Sequence, residues 1–359
     1  MKQLSYFPEN IVIPMTRRFL GLFELYKICK PEKKVRAFLV LLLFGITLPA
    51  EAVEETLVTF DTREKSKITV LIGDVPVATL VVDDREIPRP YFCSVKTLEN
   101  MQVTRNHPPI EGADVPDHPS FHPGLWMAFG DLSGSDYWRN KANVKCTADS
   151  VKTFQGGNSG TLQAEFSYLD QAKPSIETCR EKFRCTFVVR DQRYFILWDS
   201  PFRSWNSIYF GVQEEMGLGV RVATMMRAEN RQREEILPGT GRILDSRGRL
   251  NGAEVWGEAA RWCDYRGDIS NKTVGITILC HPKNFRPSWF HARDYGLLVA
   301  NPFGRRAFKK GEPSKVAIEP GDSLRLRYGI FVYSIPKGAK LDLDGVHDDY
   351  LACEKVESE

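Results

Sequence analysis

The chain holds six histidines, and four of them are followed directly by proline: His107, His118, His122 and His281. Imidazole is the usual proton carrier near neutral pH. Proline keeps its neighbours extended and lowers the entropy of presenting a side chain. The densest block runs from Asp117 through His118, His122 and Trp126 to Gly130-Asp131 and Asp136-Tyr137-Trp138. Upstream lie Arg89-Pro90-Tyr91-Phe92 and Arg105-Asn106-His107. Downstream come Gln213-Glu214-Glu215, the stretch from Trp256 and Glu258 through Arg261-Trp262 to His281, and the run Trp289 to Asn301, which holds His291, Arg293 and Asp294. Tryptophan beside Asp, Arg and His suits a sugar, because the ring face covers C–H surface and ion-bearing groups bind hydroxyls.

Plainer readings stand beside these. Trp126, Trp138, Trp256 and Trp262 also read as core or loop anchors. Arg293-Asp294 also reads as a local ion pair, and one of Glu214 and Glu215 as a solvent-facing side chain at a strand end. His118 and His122 stand four apart, but the prolines exclude the regular helix that a helical metal pair needs. His118, His122 and His291 are the right types for a metal. The Arg293 guanidinium opposes a divalent cation where water is excluded and favours a carboxylate- or hydroxyl-bearing ligand. We therefore expect no bound metal and no cofactor.

The elements that must position these groups follow a period of two. Thr56–Phe60, Lys67–Ile72 and Val77–Val82 read as strands, as do Leu162–Tyr168, Ser207–Val212, Leu218–Thr224, Thr273–Cys280, Gly296–Ala300 and Ser323–Ser334. The clearest hairpin is Cys185–Arg190, a turn at Asp191-Gln192, then Tyr194–Asp199. Only Asp344–Lys355 reads as a helix. No βαβ alternation is present, which excludes a parallel α/β sheet. The expected fold is all-β: one large antiparallel sandwich, 53–359, with long loops carrying the function and a short C-terminal helix.

With 359 residues, 42% hydrophobic and 26% charged, the chain can bury a full core. A formal charge of +3 with no basic stripe argues against nucleic acid as partner. Lys30, Lys33, Lys34 and Arg36 precede an apolar run from Ala37 to Pro49, and Ala50-Glu51-Ala52 ends it. That pattern is a secretory leader, 1–52, with cleavage after Ala52, so the mature chain is expected in the periplasm or outside the cell. Met15, followed by Arg17 and Arg18, is an alternative start. After the leader we expect no membrane span. Seven cysteines remain, an odd count at irregular spacing; Cys179 and Cys185 read either as a short-loop pair or as buried thiols.

The motifs RPYF, DHPSFHPGLWMAFGD with DYW, EEMGLGVRVAT, ARWCDYRG, HARDYGLLVANPFG and LRLRYGIFVY resemble the family labelled "methane oxygenase PmoA", over about 85–335. The resemblance implies an exported bacterial protein with a galactose-mutarotase-like supersandwich. Where that family carries consecutive histidines before an arginine, this chain has Ser120-Phe121-His122-Pro123. Mutarotase-like sites pair a histidine with a carboxylate. This implies catalytic candidates His118, His122 and His291 against Glu258, Asp294 or Glu215. Arg89, Arg105, Trp126, Arg293 and Asn301 are the substrate-binding candidates, and His118, His122, Arg293, Asp294 and Asn301 are expected to line one pocket with Arg89 or Arg105. The expected function is acid–base chemistry on a sugar, with acidic or polyhydroxylated sugars preferred, by an epimerase, lyase or hydrolase. The alternatives are a non-catalytic carbohydrate-binding protein and a metal-dependent oxygenase.

Overall fold

The computed structural model describes residues 57–232 and 235–356. The expected leader, its cleavage point and Thr56 lie outside them.

Two nine-stranded antiparallel sheets face each other. The first runs, edge to edge, through Val58–Asp61, Lys67–Ile72, Val75–Val81, Tyr91–Cys93, Leu125–Phe129, Met216–Arg221, Leu297–Asn301, Trp289–Arg293 and Glu258–Ala259. The second runs through Arg242–Asp245, Trp262–Ile269, Lys272–Cys280, Ser323–Pro336, Arg193–Arg203, Glu177–Arg190 and Ser159–Leu169, with Val144–Cys146 and Lys152–Gly156 sharing its far edge. Val70, Phe92, Phe129 and Leu218 of the first sheet meet Phe187, Ile196, Ile278 and Ile330 of the second in one dry core. The all-β sandwich expected from the period-two pattern is the fold.

The expected hairpin is longer than its apolar alternation, spanning Glu177–Arg190 and Arg193–Arg203. Its turn residues Asp191 and Gln192 have φ of 48° and 60°, the paired left-handed geometry that matches strand twist. Cys179 and Cys185 lie six residues apart on that one strand. At about 3.3 Å per residue they stand roughly 20 Å apart, too far for a bridge, and both are free thiols.

The pattern misses Leu125–Phe129, Trp262–Ile269 and Trp289–Arg293 as strands. In Leu125–Phe129 every residue is buried, because core covers one face and loops cover the other. Strands covered on both faces lose the alternation that marks a half-exposed strand.

The C-terminal helix spans Leu343–Val356. Asp342 starts it by accepting the Gly345 N–H at 3.1 Å. Leu343, Val346, Tyr350 and Cys353 repeat at helical spacing and pack on Phe195, Leu279, Phe331 and Tyr333. The helix thus covers the outer face of the second sheet. Among the described residues no helix is long and apolar enough to cross a membrane. The outer face of the first sheet is left to loops, and there the chemistry gathers.

Candidate functional site

Strand register builds the floor. Trp126 pairs with Gly219, Gly219 with Val299, and Val299 with His291. Their neighbours along each strand, Leu125, Leu218, Leu298 and Phe290, point into the core, so these four project outward in one row. In the adjoining row, Arg221 pairs with Leu297 and Leu297 with Arg293. Gly219 is a packing requirement. A Cβ there would lie 2.7 Å from Trp126 Cζ2 and 3.2 Å from Trp138 Cη2, so glycine lets the indoles lie across the strand.

The proline-rich histidine loop forms one wall. His122 stacks on Trp126 with centroids 5.4 Å apart and planes at 14°, and meets Trp138 edge-on at 6.0 Å. His118, which is exposed, lies 5.2 Å from His122. The His122 N–H bonds the His118 carbonyl at 3.1 Å, closing a single turn in which His118 has φ of 48°. Burial, then Arg221, holds the His122 imidazole well below its ordinary value, so it is neutral near pH 7.

Three buried arginines hold this loop from behind. Arg105 donates to the carbonyls of Val115 (3.0 Å), Asp117 (2.7 Å) and His122 (3.0 Å). The Asp117 carboxylate accepts from Arg105 at 3.0 Å and from Arg221 at 2.5 Å. Arg89 donates to the Phe121 carbonyl at 2.7 Å and to the Asn140 side chain, which itself bonds the Ser120 carbonyl at 3.1 Å. Arg89 and Arg105 are 2% exposed, so these expected ligand contacts act here as positioning residues. Arg221, which sequence reading missed, lies 4.6 Å over the Tyr295 ring. Its only signal was the alternation Gly217, Gly219, Arg221 on one strand face.

The opposite wall centres on His291 and Glu214. Arg293 Nε donates to His291 Nε2 at 3.0 Å, which assigns the ring proton to Nδ1. Glu214 Oε2 lies 3.2 Å from Arg293 Nη2 and 3.6 Å from His291 Nε2. Burial, then Arg293, pushes the His291 imidazole down to about 3, and its buried Nδ1 has no partner among the described residues. The Arg293 guanidinium lies 5.5 Å from the Trp256 ring centre. Next to Glu214, Glu215 pairs with Arg139 at 2.7 Å, and Arg139 with Asp136 at 3.1 Å.

Asn301 places the glutamates rather than facing a ligand: its Nδ2 donates to the carbonyls of Gln213 (2.7 Å) and Glu214 (3.0 Å). Asp294 is also engaged, its Oδ1 accepting the Gly252 N–H at 2.7 Å at the short helix Asn251–Val255. Glu258 pairs with Arg249 at 2.7 Å and with Lys310. The structure thus brings His118, His122, Trp126, His291 and Arg293 to one outer face, held by Arg89, Arg105 and Asn301. It replaces Glu258 and Asp294 by Glu214 as the carboxylate beside the imidazoles. Trp126, His291, Arg293 and Asn301 sit on strands, not on the long loops expected to carry function. A cavity of about 900 Å³ opens elsewhere, beside Asp84, Pro88, Lys145 and Asp149; of the expected site residues it borders only Arg89. Among the described residues no three His, Cys, Asp or Glu side chains converge as metal ligands.

Comparison with known proteins corrects the family expected from the motifs. The model of a family of unknown function, DUF6807, matches residues 67–340, in place of the PmoA-labelled family. No curated protein matches the chain. Among solved structures, the chain is similar to the GH36 α-galactosidase AgaB from Geobacillus stearothermophilus, at 10% identity and a TM-score of 0.40, over 78% of this chain and 41% of that one. It is similar to an α-galactosidase from Lactobacillus brevis at 9% identity and a TM-score of 0.37, over 78% and 40%. A galactose mutarotase related enzyme from Lactobacillus acidophilus shows 10% identity and a TM-score of 0.29, over 74% and 97%. The chain thus spans about two fifths of the length of the α-galactosidases it matches. The fold assignment stands on the two sheets described above.

Proposed function

The chain belongs to DUF6807, and for this member we propose a carbohydrate-active protein that performs acid–base chemistry in the cleft on the outer face of the first sheet. One observation carries the proposal: an aromatic and glycine floor separates an exposed imidazole from a carboxylate. Trp126 and His291 stand three strand spacings apart, about 14 Å at the floor.

Each residue then has a role. The Trp126–His122 stack, itself buried, backs the loop that carries His118. His118, which is exposed, exchanges a proton with a ring or leaving-group oxygen. Glu214, kept close to the Arg293 guanidinium, is the opposing base. His291 is neutral and holds Arg293 in place through Nε2. Export of the mature chain, expected from its first 52 residues, belongs to the same proposal, and N-terminal sequencing of cell-envelope material tests it. A chain still starting at Met1 there would remove the export step.

The test incubates the purified protein with neutral and acidic monosaccharides and oligosaccharides, following anomer, epimer and bond cleavage by NMR. Tryptophan fluorescence reports binding. We expect turnover that falls about 100-fold in Glu214→Gln and in His118→Asn while binding persists. Binding without turnover in the wild type would replace the enzyme by a carbohydrate-binding protein. Absence of sugar binding at millimolar concentration, or full turnover in both variants, would overturn the reading.

A further inference from the structure

Along the strand Trp289–Arg293, Trp289, His291 and Arg293 project from the same face, about 7 Å apart in turn. His291 and Arg293 belong to the cleft. Trp289 belongs to something else, because the Arg305 guanidinium lies over its ring, 5.7 Å from the centre. Arg305 opens a tight turn in which Phe308 N–H bonds the Gly304 carbonyl at 2.8 Å and Lys310 N–H bonds the Arg305 carbonyl at 2.8 Å. That turn gathers Arg305, Arg306, Lys309 and Lys310. A second loop is tied to it at Ser314, whose carbonyl accepts from Arg286 at 3.0 Å and whose hydroxyl accepts the Arg305 N–H at 3.2 Å.

Only Lys310 of these cations has a carboxylate partner among the described residues, Glu258. Like charges crowded into one turn repel one another. Burial, then the neighbouring Arg305, depresses the Arg286 guanidinium. The turn therefore presents a local excess of exposed positive charge that an anionic ligand would complement.

We propose that these two loops bind a polyanionic polysaccharide bearing carboxylates, whose chain continues past Trp289 into the cleft; the proposal rests on the sugar reading of that cleft. The chemistry favours a glycan over a nucleic acid. Binding of single strands uses free aromatic faces on which bases stack. Here the rings already carry cations, Arg305 on Trp289 and Arg286 on Phe285 at 4.7 Å. Guanidinium groups fixed in this way are preorganised for paired hydrogen bonds to carboxylates.

The test measures affinity of the purified protein for polygalacturonate, neutral dextran and a single-stranded oligonucleotide across a salt series. Its variants are Arg306→Glu/Lys309→Glu and, as a milder change, Arg306→Ala/Lys309→Ala. Both positions are exposed, and thermal melting checks the fold. We expect polygalacturonate to bind with affinity falling as salt rises, dextran to bind no more tightly at low salt than at high, and charge reversal to weaken polygalacturonate about tenfold or more. Monosaccharide turnover in the cleft should be unchanged in both variants. Wild-type polygalacturonate affinity in the charge-reversed protein, with monosaccharides still bound in the cleft, would overturn the loop proposal alone. Charge-sensitive polygalacturonate binding without any monosaccharide binding would overturn the cleft reading alone. Oligonucleotide bound as tightly as polygalacturonate would overturn the choice of glycan.

Discussion

Glu181 is a carboxyl inside the sandwich, and replacing it by glutamine should stabilise the protein in alkaline but not in acidic solution. It is 1% exposed. The Tyr168 hydroxyl donates to Oε2 at 2.8 Å, the Ser200 hydroxyl donates to Oε1, and Trp198 Nε1 donates to that serine at 2.9 Å. The cavity beside it has about 10 Å³, at the lower limit for one water. Burial therefore outweighs the two hydroxyl bonds and raises the carboxyl from 4.5 to about 7. Each tenfold change in proton affinity is worth about 1.4 kcal/mol, so this one is worth about 3 kcal/mol. The sign follows from linkage. Between those two values the folded chain holds a proton that the unfolded chain has lost. The stabilisation is complete below about 4.5 and is lost as pH rises through about 7. Glutamine mimics the protonated carboxyl, because the Tyr168 hydroxyl can turn to accept from its amide. The assay is urea unfolding by tryptophan fluorescence at a series of pH values. Comparing the two proteins at each pH cancels the contributions of other groups. Glu181→Gln should match the wild type near pH 4.5 and exceed it by up to about 3 kcal/mol at pH 8. A stability difference constant across that range, or a variant weaker than the wild type at pH 8, would refute the reasoning.

Other outcomes follow from the site. Gly219→Ala places a methyl against Trp126 and Trp138 and should cost about 1–3 kcal/mol in urea unfolding, with weaker sugar binding because the indoles are displaced. Arg105→Met removes the donors to four loop carbonyls and leaves Asp117 with Arg221 alone; we expect a loss of about 3 kcal/mol and faster proteolysis within 115–122. His291, held at about 3, should show ring NMR signals that do not titrate between pH 8 and about 4.5. Because its folded value is lowered, the unfolded chain takes up the proton first, so its contribution to stability falls as pH drops below about 6.5. Titration of this ring near 6.5 would contradict the buried geometry.

The sequence by itself determined the fold class, because period-two alternation over many short runs permits little but antiparallel sheets. It also determined the Asp191-Gln192 hairpin, whose two polar residues tolerate left-handed backbone, and the C-terminal helix, whose apolar spacing matches the surface it covers. The histidine block was legible because prolines around imidazoles leave a mark in composition. The motifs pointed to a family other than the one the chain belongs to, since local strings do not weigh the whole chain. What only the tertiary structure decided is which residues share the site. Trp126, Gly219, Val299 and His291 form one row only through the register of four strands, and a one-residue slip in any pairing would turn its side chain into the core. The same holds for the carboxylate. Glu258 and Asp294 had equal claims as letters, but ion pairs and a backbone N–H occupy them, while Asn301 holds the Gln213–Glu214 carbonyls and so brings Glu214 beside His291. Contacts between residues far apart in the chain leave no period in the sequence, so these partners emerge only when the strands are packed.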